Sequence, residues 1–356
     1  MSKPQRGVDH AGMEIEMSKR ILVFLAVFCA FAADGVVSTA AAQNRSSNAG
    51  YWEVPRTADG HPDLQGNWTN ATLTPFTRRL DTPPIYTWEE VAELEQTDGD
   101  CPAAPGTAAC GRASFGLAGQ EYNEVYWDRG SRVAIINGEP RASLVTNPVD
   151  GRVPSMTPEA QAARAEYVEF RSQFAQYDHP EMRPLAERCL VSFGSNAGPP
   201  MLPNGGYNNN YTIVQTADHV LIMAEMVHDA RVIKIGDGPR LPPHVRPWMG
   251  DSWGHWEGDV LVVETTNIHP LQRFRGNSSE NLKVIERFSR IDQETVLYEF
   301  TIDDPTVYTA TWGGEVPMMR FDDKLYEYAC QEGNYSLAGV LSGARYQERM
   351  EAQGGN

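Results

Sequence analysis

The sequence predicts a mainly β fold, either an antiparallel barrel or a strongly curled sheet, preceded by an N-terminal elaboration of coil and helix. Two observations point to this fold. Short apolar segments with period-2 alternation follow one another through the C-terminal half and are separated by compact turns. The chain also contains 31 Gly and 24 Pro among 356 residues, a turn-rich composition that argues against a helical bundle.

The N-terminus has the pattern of a secretory signal. Lys19 and Arg20 precede an apolar run over residues 21–33, and small residues follow up to Ala42. We expect cleavage after Ala42, with Met17 as an alternative start. The run is too short to span a bilayer, which requires about 20 apolar residues.

Removal of residues 1–42 leaves a flexible tether over residues 43–50 and a single domain over residues 51–356. Loops and helices are expected to dominate residues 51–210, and a β-meander to occupy residues 211–335. The leader predicts a bacterial protein that is periplasmic or secreted. No membrane span is expected after signal cleavage.

Four cysteines remain after cleavage, as expected for disulfides in an oxidising compartment. Three pairings are open. A short Ala/Pro/Gly loop between Cys101 and Cys110 favours a local disulfide there, which leaves Cys189 to pair with Cys330. No C-x-x-C or H-x-x-x-H spacing occurs, so neither a metal site nor a cofactor is expected.

Two helices are predicted in the N-terminal part. Thr87 and Glu90 have the spacing of a capping box and predict a short helix through Glu95. Thr157 followed by Pro158 predicts the start of a longer helix. One face of this second helix carries an apolar stripe that we expect to pack against a sheet, formed by Ala163, Tyr167, Phe170, Phe174 and Tyr177.

The C-terminal half predicts a meander of short antiparallel strands. Alternation is clearest over residues 295–302. Closure into a barrel of the calycin or lipocalin type would remove exposed strand edges. The predicted strands are 66–69, 211–215, 219–224, 231–235, 252–256, 260–266, 282–291, 295–302, 307–312, 316–320 and 325–330.

The charge excludes some classes of partner. The chain has 30 Lys and Arg against 47 Asp and Glu, a net charge of −17. Nucleic acids and anionic membrane surfaces bind clustered basic residues, so neither is expected as a partner. A small-molecule ligand or substrate remains as the expected partner.

The densest polar cluster lies over residues 225–231 and supplies the candidate catalytic residues. If this stretch is extended, Asp229 and Arg231 share one face. His228 is the candidate general acid or base, because imidazole titrates near neutral pH. Asp229 and Arg231 would orient the substrate and neutralise developing charge. The alternative is an ion pair at the rim of the barrel beside an exposed histidine.

Aromatic and polar side chains suited to a small-molecule pocket form a second group of candidates. Such pockets combine apolar walls with a few convergent polar groups. The candidate substrate-binding residues are Tyr122, Glu124, Trp127, Arg129, Asn209, Glu225, Asp251 and Trp256.

Two motifs carry a resemblance to a known family. Trp256–Asn267 has the pattern W-E-G-D-x-L-V-V-E-T-T-N, and Ser279–Phe288 has the pattern S-E-N-L-x-x-x-E-R-F. With further similar stretches over most of residues 55–345, the chain resembles a family of secreted bacterial proteins described as hypothetical. The resemblance implies an exported single-domain protein and assigns no catalytic role.

These observations predict an exported enzyme that acts on a small, partly apolar organic molecule by metal-free general acid/base chemistry, of the lyase, isomerase or hydrolase type. The alternative is a non-catalytic periplasmic carrier or sensor of a hydrophobic ligand. A structural envelope protein is a third interpretation and requires a large exposed apolar patch.

Overall fold

The structure is a computed structural model and describes residues 52–99, 130–192, 198–203, 208–278 and 280–354. The predicted signal peptide, the predicted tether and the predicted pair of Cys101 and Cys110 lie outside these ranges. Within them, Glu53–Asn356 belongs to one compact unit.

Twelve strands, three α-helices and two short 3-10 turns are described. The strands are β1 (Gly66–Thr69), β2 (Ile135–Ile136), β3 (Glu139–Pro140), β4 (Val145–Asn147), β5 (Asn210–Gln215), β6 (His219–Ala224), β7 (Ala230–Ile235), β8 (Asp251–Glu257), β9 (Val260–Thr266), β10 (Lys283–Arg290), β11 (Thr295–Asp303) and β12 (Trp312–Arg320). The helices are α1 (Trp88–Gly99), α2 (Pro158–Ser172) and α3 (Tyr335–Ala352), and the 3-10 turns are Pro180–Met182 and Met226–His228.

Nine strands close into a barrel, which confirms the predicted fold class. Their order is β1, then β5 through β12, and β1 pairs with β12 to complete the ring. Trp68 on β1 lies opposite Tyr211 on β5 and opposite Arg320 on β12. Outside the ring, β4 adds to the edge of β12, and β2 pairs with β3 in a separate hairpin.

The barrel is mixed, so the expectation of a purely antiparallel sheet was wrong in one place. β7 and β8 run parallel, with Ile233 opposite Ser252 and Ile235 opposite Gly254. A parallel pair requires a return connection between its strands. Residues 236–250 form this connection.

Of the three strands predicted after β11, the strand at 316–320 is confirmed as the second half of β12. The predicted strands at 307–312 and 325–330 are wrong, except that Trp312 begins β12. The amides of Val307 and Tyr308 both donate to the carbonyl of Asp304, at 3.1 and 2.9 Å, so this segment is a tight turn rather than a strand. Residues 325–330 form no strand.

Glycine permits the contact between β12 and β4. A side chain at Gly314 would place its Cβ 2.1 Å from the carbonyl oxygen of Leu144. The register also shifts between Gly313 and Gly314, as in a β-bulge. The absence of a side chain therefore allows β4 to approach the barrel.

Both predicted helix starts are confirmed. The Thr87 amide donates to the Glu90 carboxylate at 2.7 Å, and the Glu90 amide donates to Thr87 Oγ1 at 3.2 Å, which is a reciprocal capping box. This helix, α1, extends beyond Glu95 to Gly99. At the start of α2, Thr157 Oγ1 accepts from the Ala160 amide at 3.1 Å.

The apolar stripe of α2 does not pack against the sheet as expected. Ala160 in the first turn is the residue of this helix that joins the core. Phe170 and Phe174 are 51% and 40% exposed and contact each other, with ring centroids 5.3 Å apart. The stripe therefore lines the surface of the protein.

Large side chains fill the central levels of the barrel. Trp68, Tyr211, Phe288, Tyr298 and Trp312 are all essentially inaccessible to solvent. The inward positions of β11 follow the alternation that the sequence shows over residues 295–302. Burial of this much apolar surface is the main source of stability for such a core.

The predicted disulfide between Cys189 and Cys330 is present, with the two Cα atoms 5.7 Å apart. It ties the segment between α2 and β5 to the segment after β12. None of the described helices combines the length and the apolar character needed to cross a bilayer.

Candidate functional site

A buried ion pair joins two strands across the barrel interior. Arg231 on β7 donates from Nη1 and Nη2 to the two carboxylate oxygens of Glu286 on β10, at 2.5 and 2.9 Å. The two side chains are 3% and 0% exposed. Arg231 was predicted to face Asp229, but its partner is Glu286.

A tyrosine completes this buried network. Tyr298 Oη donates to Glu286 Oε1 at 2.9 Å and accepts from the backbone amide of Met201 at 2.9 Å. Burial, together with the negative charge of Glu286, raises the pKa of Tyr298 well above its ordinary value. Burial by itself disfavours the charged form of Arg231, but the charge and hydrogen bonds of Glu286 outweigh it and raise the pKa of Arg231.

The stretch between β6 and β7 is a turn, so its expected extended conformation was wrong. Met226–His228 forms a 3-10 turn in which Val227 and His228 have φ values of 59° and 47°. Left-handed backbone is uncommon for non-glycine residues and costly for a β-branched one. Glu225, Asp229 and Arg231 consequently do not share one strand face.

Long-range contacts hold this turn in place. The Asp229 carboxylate accepts from the Ser192 amide at 2.8 Å. The Glu225 carboxylate is buried and accepts from Asn210 Nδ2 at 2.7 Å and from the Tyr326 amide at 2.6 Å. Three separate segments of the chain therefore converge on residues 225–229.

His228 and Asp229 are adjacent residues at the end of this turn. Burial raises the pKa of Asp229 to about 6, against the opposing effects of the Ser192 amide and the nearby His228. His228 is exposed, and its Nδ1 lies 2.8 Å from the carbonyl oxygen of Tyr328. Since a carbonyl only accepts, Nδ1 carries the proton and Nε2 of the neutral ring has a free lone pair.

The remaining predicted binding residues are dispersed. Asn209 is buried near the turn, and its carbonyl accepts from the Asn70 amide at 3.0 Å. Trp256 stacks on His61 with ring centroids 4.8 Å apart. Tyr122, Glu124, Trp127 and Arg129 lie outside the described residues.

Asp251 has a structural role in this fold. Its carboxylate accepts from Lys234 Nζ at 3.2 Å, from the Leu241 amide at 2.9 Å and from Trp253 Nε1 at 3.2 Å. Burial favours its neutral form, but these hydrogen bonds outweigh burial and hold the pKa of Asp251 below its ordinary value. The contacts fix the return connection between β7 and β8 to the barrel wall.

Glu286 and Tyr298 are not among the predicted site residues, although alternation along their strands places both at inward positions. Val284, Glu286 and Phe288 alternate with less buried residues, so Glu286 occupies an inward position of β10. A charge at an inward position requires a buried partner. Within the described ranges, no group of three or more His, Cys, Asp or Glu side chains is arranged to hold a metal ion.

Comparison with protein-family models, with curated proteins and with solved structures finds no match to this chain.

Proposed function

We propose that this protein is an exported enzyme that acts on a small, partly apolar organic molecule by general acid/base chemistry at the turn between β6 and β7. The observation that supports the proposal is the pair of His228 and Asp229. An imidazole with a free Nε2 lies beside a carboxylate whose pKa is raised to about 6. A carboxylate whose pKa is raised by burial, with an imidazole nearby, is a pattern found at sites of acid/base catalysis.

His228 is proposed as the group that accepts a proton from the substrate. The Tyr328 carbonyl fixes the tautomer of the neutral ring, so that Nε2 is the basic atom. Asp229 is ionised above pH about 6 and stabilises the imidazolium that forms. The strained backbone of Val227 and His228 supports the proposal, because such strain concentrates at functional sites.

Arg231 has no contact with substrate in this proposal. Its guanidinium lies in the barrel interior with Glu286, and its position there stabilises the start of β7. The catalytic role first expected for Arg231 is therefore withdrawn in favour of a structural one.

A non-catalytic carrier or sensor of a hydrophobic ligand is the second candidate function. The exposed apolar side chains of α2 and of the residues just after it favour it, with Val168, Phe170 and Phe174 all at least 40% exposed. A carrier would bind and release its ligand unchanged, whereas an enzyme would convert it.

The tautomer of His228 can be tested before any substrate is identified. Nitrogen NMR of protein labelled at histidine is expected to show His228 protonated at Nδ1 in its neutral form. A neutral ring protonated at Nε2 would remove the basic atom on which the proposal depends.

Turnover is tested with a panel of aryl esters, lactones and β-hydroxy acids, using mass spectrometry to detect products. We expect the His228→Gln variant to lose at least about 100-fold in kcat/KM, and wild-type activity to rise as the pH increases through about 6. His244→Gln is the matched control, because His244 is an exposed histidine on the β7–β8 connection. Full activity in His228→Gln contradicts the proposal, and unchanged ligands that bind saturably favour the carrier.

A further inference from the structure

A groove on the outside of the protein follows α2. Its larger part has a volume of about 720 Å³ and lies between α2, residues 181–192 and residues 269–273. An adjoining part of about 570 Å³ shares Tyr167, Phe170 and Arg273 with it. These volumes are typical of sites for small molecules.

The larger part of the groove is cationic on a protein of net charge −17. Its lining includes four arginines and one glutamate. Two of the arginines are already engaged. Arg183 forms a bidentate pair with Glu187 at 2.8 and 2.7 Å, and Arg171 donates to the Met182 carbonyl at 2.6 Å.

The other two arginines retain unused hydrogen-bond donors. The half-buried Arg188 side chain makes no hydrogen bond or ion pair with any residue that the structure describes. Arg273 donates through Nε to the Gly276 carbonyl at 3.1 Å, which leaves both Nη groups without an acceptor in the described part of the chain. An anion in the groove would satisfy these donors, and arginine binds carboxylates well because two N–H groups can donate in parallel.

The position of Arg273 reinforces the need for an anion. Its guanidinium carbon lies 3.7 Å from the ring centroid of Tyr167. Burial lowers the pKa of Arg273, and the positive charge of Arg164 adds to that effect against the opposing effect of Tyr167. A negatively charged ligand would offset both the burial of the Arg273 charge and its repulsion by Arg164.

Aromatic side chains supply the apolar part of the site. Phe170 is half exposed, and Trp248 lies against His269 with ring centroids 4.0 Å apart. His269 Nδ1 accepts from the Leu271 amide at 3.2 Å, so the neutral ring carries its proton on Nε2. Burial and the charge of Arg246 lower the pKa of His269, which keeps the ring neutral and able to donate at neutral pH.

We propose that this groove binds a small organic anion with a flat apolar body, of the aromatic carboxylate class. Arg188 and Arg273 hold the carboxylate, and Phe170 and Trp248 contact the apolar body. The site does not depend on the acid/base function of His228, and its test requires no turnover.

The test is calorimetric titration of the full chain with 2-naphthoate, alongside the neutral analogue 2-naphthamide. We expect one saturable site for 2-naphthoate, at least tenfold weaker binding of 2-naphthamide, and at least a tenfold loss of affinity in Arg188→Gln and in Arg273→Gln. Arg152→Gln is the matched control, since Arg152 is an exposed arginine outside the groove, and it is expected to bind like the wild type.

Three results would overturn the proposal. One is the absence of saturable 2-naphthoate binding at millimolar concentration. Another is equal affinity of wild type, Arg188→Gln and Arg273→Gln, provided that thermal unfolding shows each variant to be folded. Near-equal binding of 2-naphthamide would likewise show that charge does not select the ligand.

Discussion

Replacement of Arg231 by methionine is expected to destabilise the barrel by about 3–5 kcal/mol. Glu286 is fully buried and accepts two hydrogen bonds from Arg231 and one from Tyr298. Arg231→Met leaves the carboxylate with the tyrosine as its remaining donor, and a buried charge without its counterion is costly. Glu286→Leu is expected to be costly for the same reason, because it leaves the guanidinium buried and unpaired.

The double variant distinguishes this reasoning from simple loss of packing. Arg231→Met combined with Glu286→Leu removes both charges and leaves the Tyr298 hydroxyl without its acceptor, at a cost of about 1–3 kcal/mol. It is therefore expected to be more stable than either single variant. The free energy of unfolding is measured with urea, using far-UV circular dichroism and tryptophan fluorescence with the disulfide intact.

A surface ion pair on a neighbouring position is the control. Arg287 follows Glu286 in β10 and pairs on the outside with Glu257 at 2.9 Å, with both side chains at least 39% exposed. Breaking this pair is expected to cost less than about 1 kcal/mol. If Arg231→Met costs no more than the surface variant, or if the costs of the two buried replacements simply add, the argument from buried charge is refuted.

Three further predictions concern stability. Replacement of Cys189 and Cys330 by serine is expected to destabilise the protein by up to about 5 kcal/mol, because the disulfide closes a loop of 141 residues in the unfolded chain, and urea unfolding will show whether the cost is that large. Asp229→Asn is expected to stabilise the protein relative to wild type by about 2 kcal/mol more at pH 8 than at pH 4. Because the pKa of Asp229 is raised to about 6, folding disfavours its ionised carboxylate, and wild type loses stability as the pH rises from 3.8 to 6. A stability difference between the two proteins that does not depend on pH contradicts this prediction. Gly314→Ala is expected to lower the thermal midpoint by several degrees through the clash with the β4 backbone, whereas Gly339→Ala, which meets open space on α3, is expected to leave it unchanged or raise it.

The strands were predictable where local chemistry and the final fold agree. β8 and β9 are joined by Glu257-Gly258-Asp259, a turn sequence between two alternating segments. Gly258 has a φ of 59° in open space, as such a turn requires. The inward residues of β11 followed from alternation alone. In these places the sequence within a few residues determines the structure.

The parallel pairing of β7 with β8 had no local signal. It depends on contacts of the connection between the two strands, such as the hydrogen bond from the Leu241 amide to the Asp251 carboxylate. The turn at Val227 illustrates the same limit, since valine disfavours positive φ. Its conformation is imposed by partners of its neighbours, Ser192 and Tyr328.

The candidate site was predictable in its residue types but only partly in its geometry. His228 was predicted as the acid/base group because imidazole titrates near neutral pH, and Asp229 as a group that orients the substrate. Both lie on one turn. Arg231 was placed with them because strand alternation was assumed to continue through the turn. The apolar stripe that begins in α2 was predicted to be buried, but periodicity shows only that a helix has an apolar face and not what covers it.

The parallel pair also follows from counting. Around a ring of strands, strict up-and-down alternation closes only when the number of strands is even. This ring has nine, so at least one adjacent pair must point the same way, and β7 with β8 meets that requirement. The chain must then return to the starting end of β7 before β8 can begin, and residues 236–250 form this connection. Trp248 belongs to the connection and lines the groove. An odd strand number thus supplies one side of the proposed anion site.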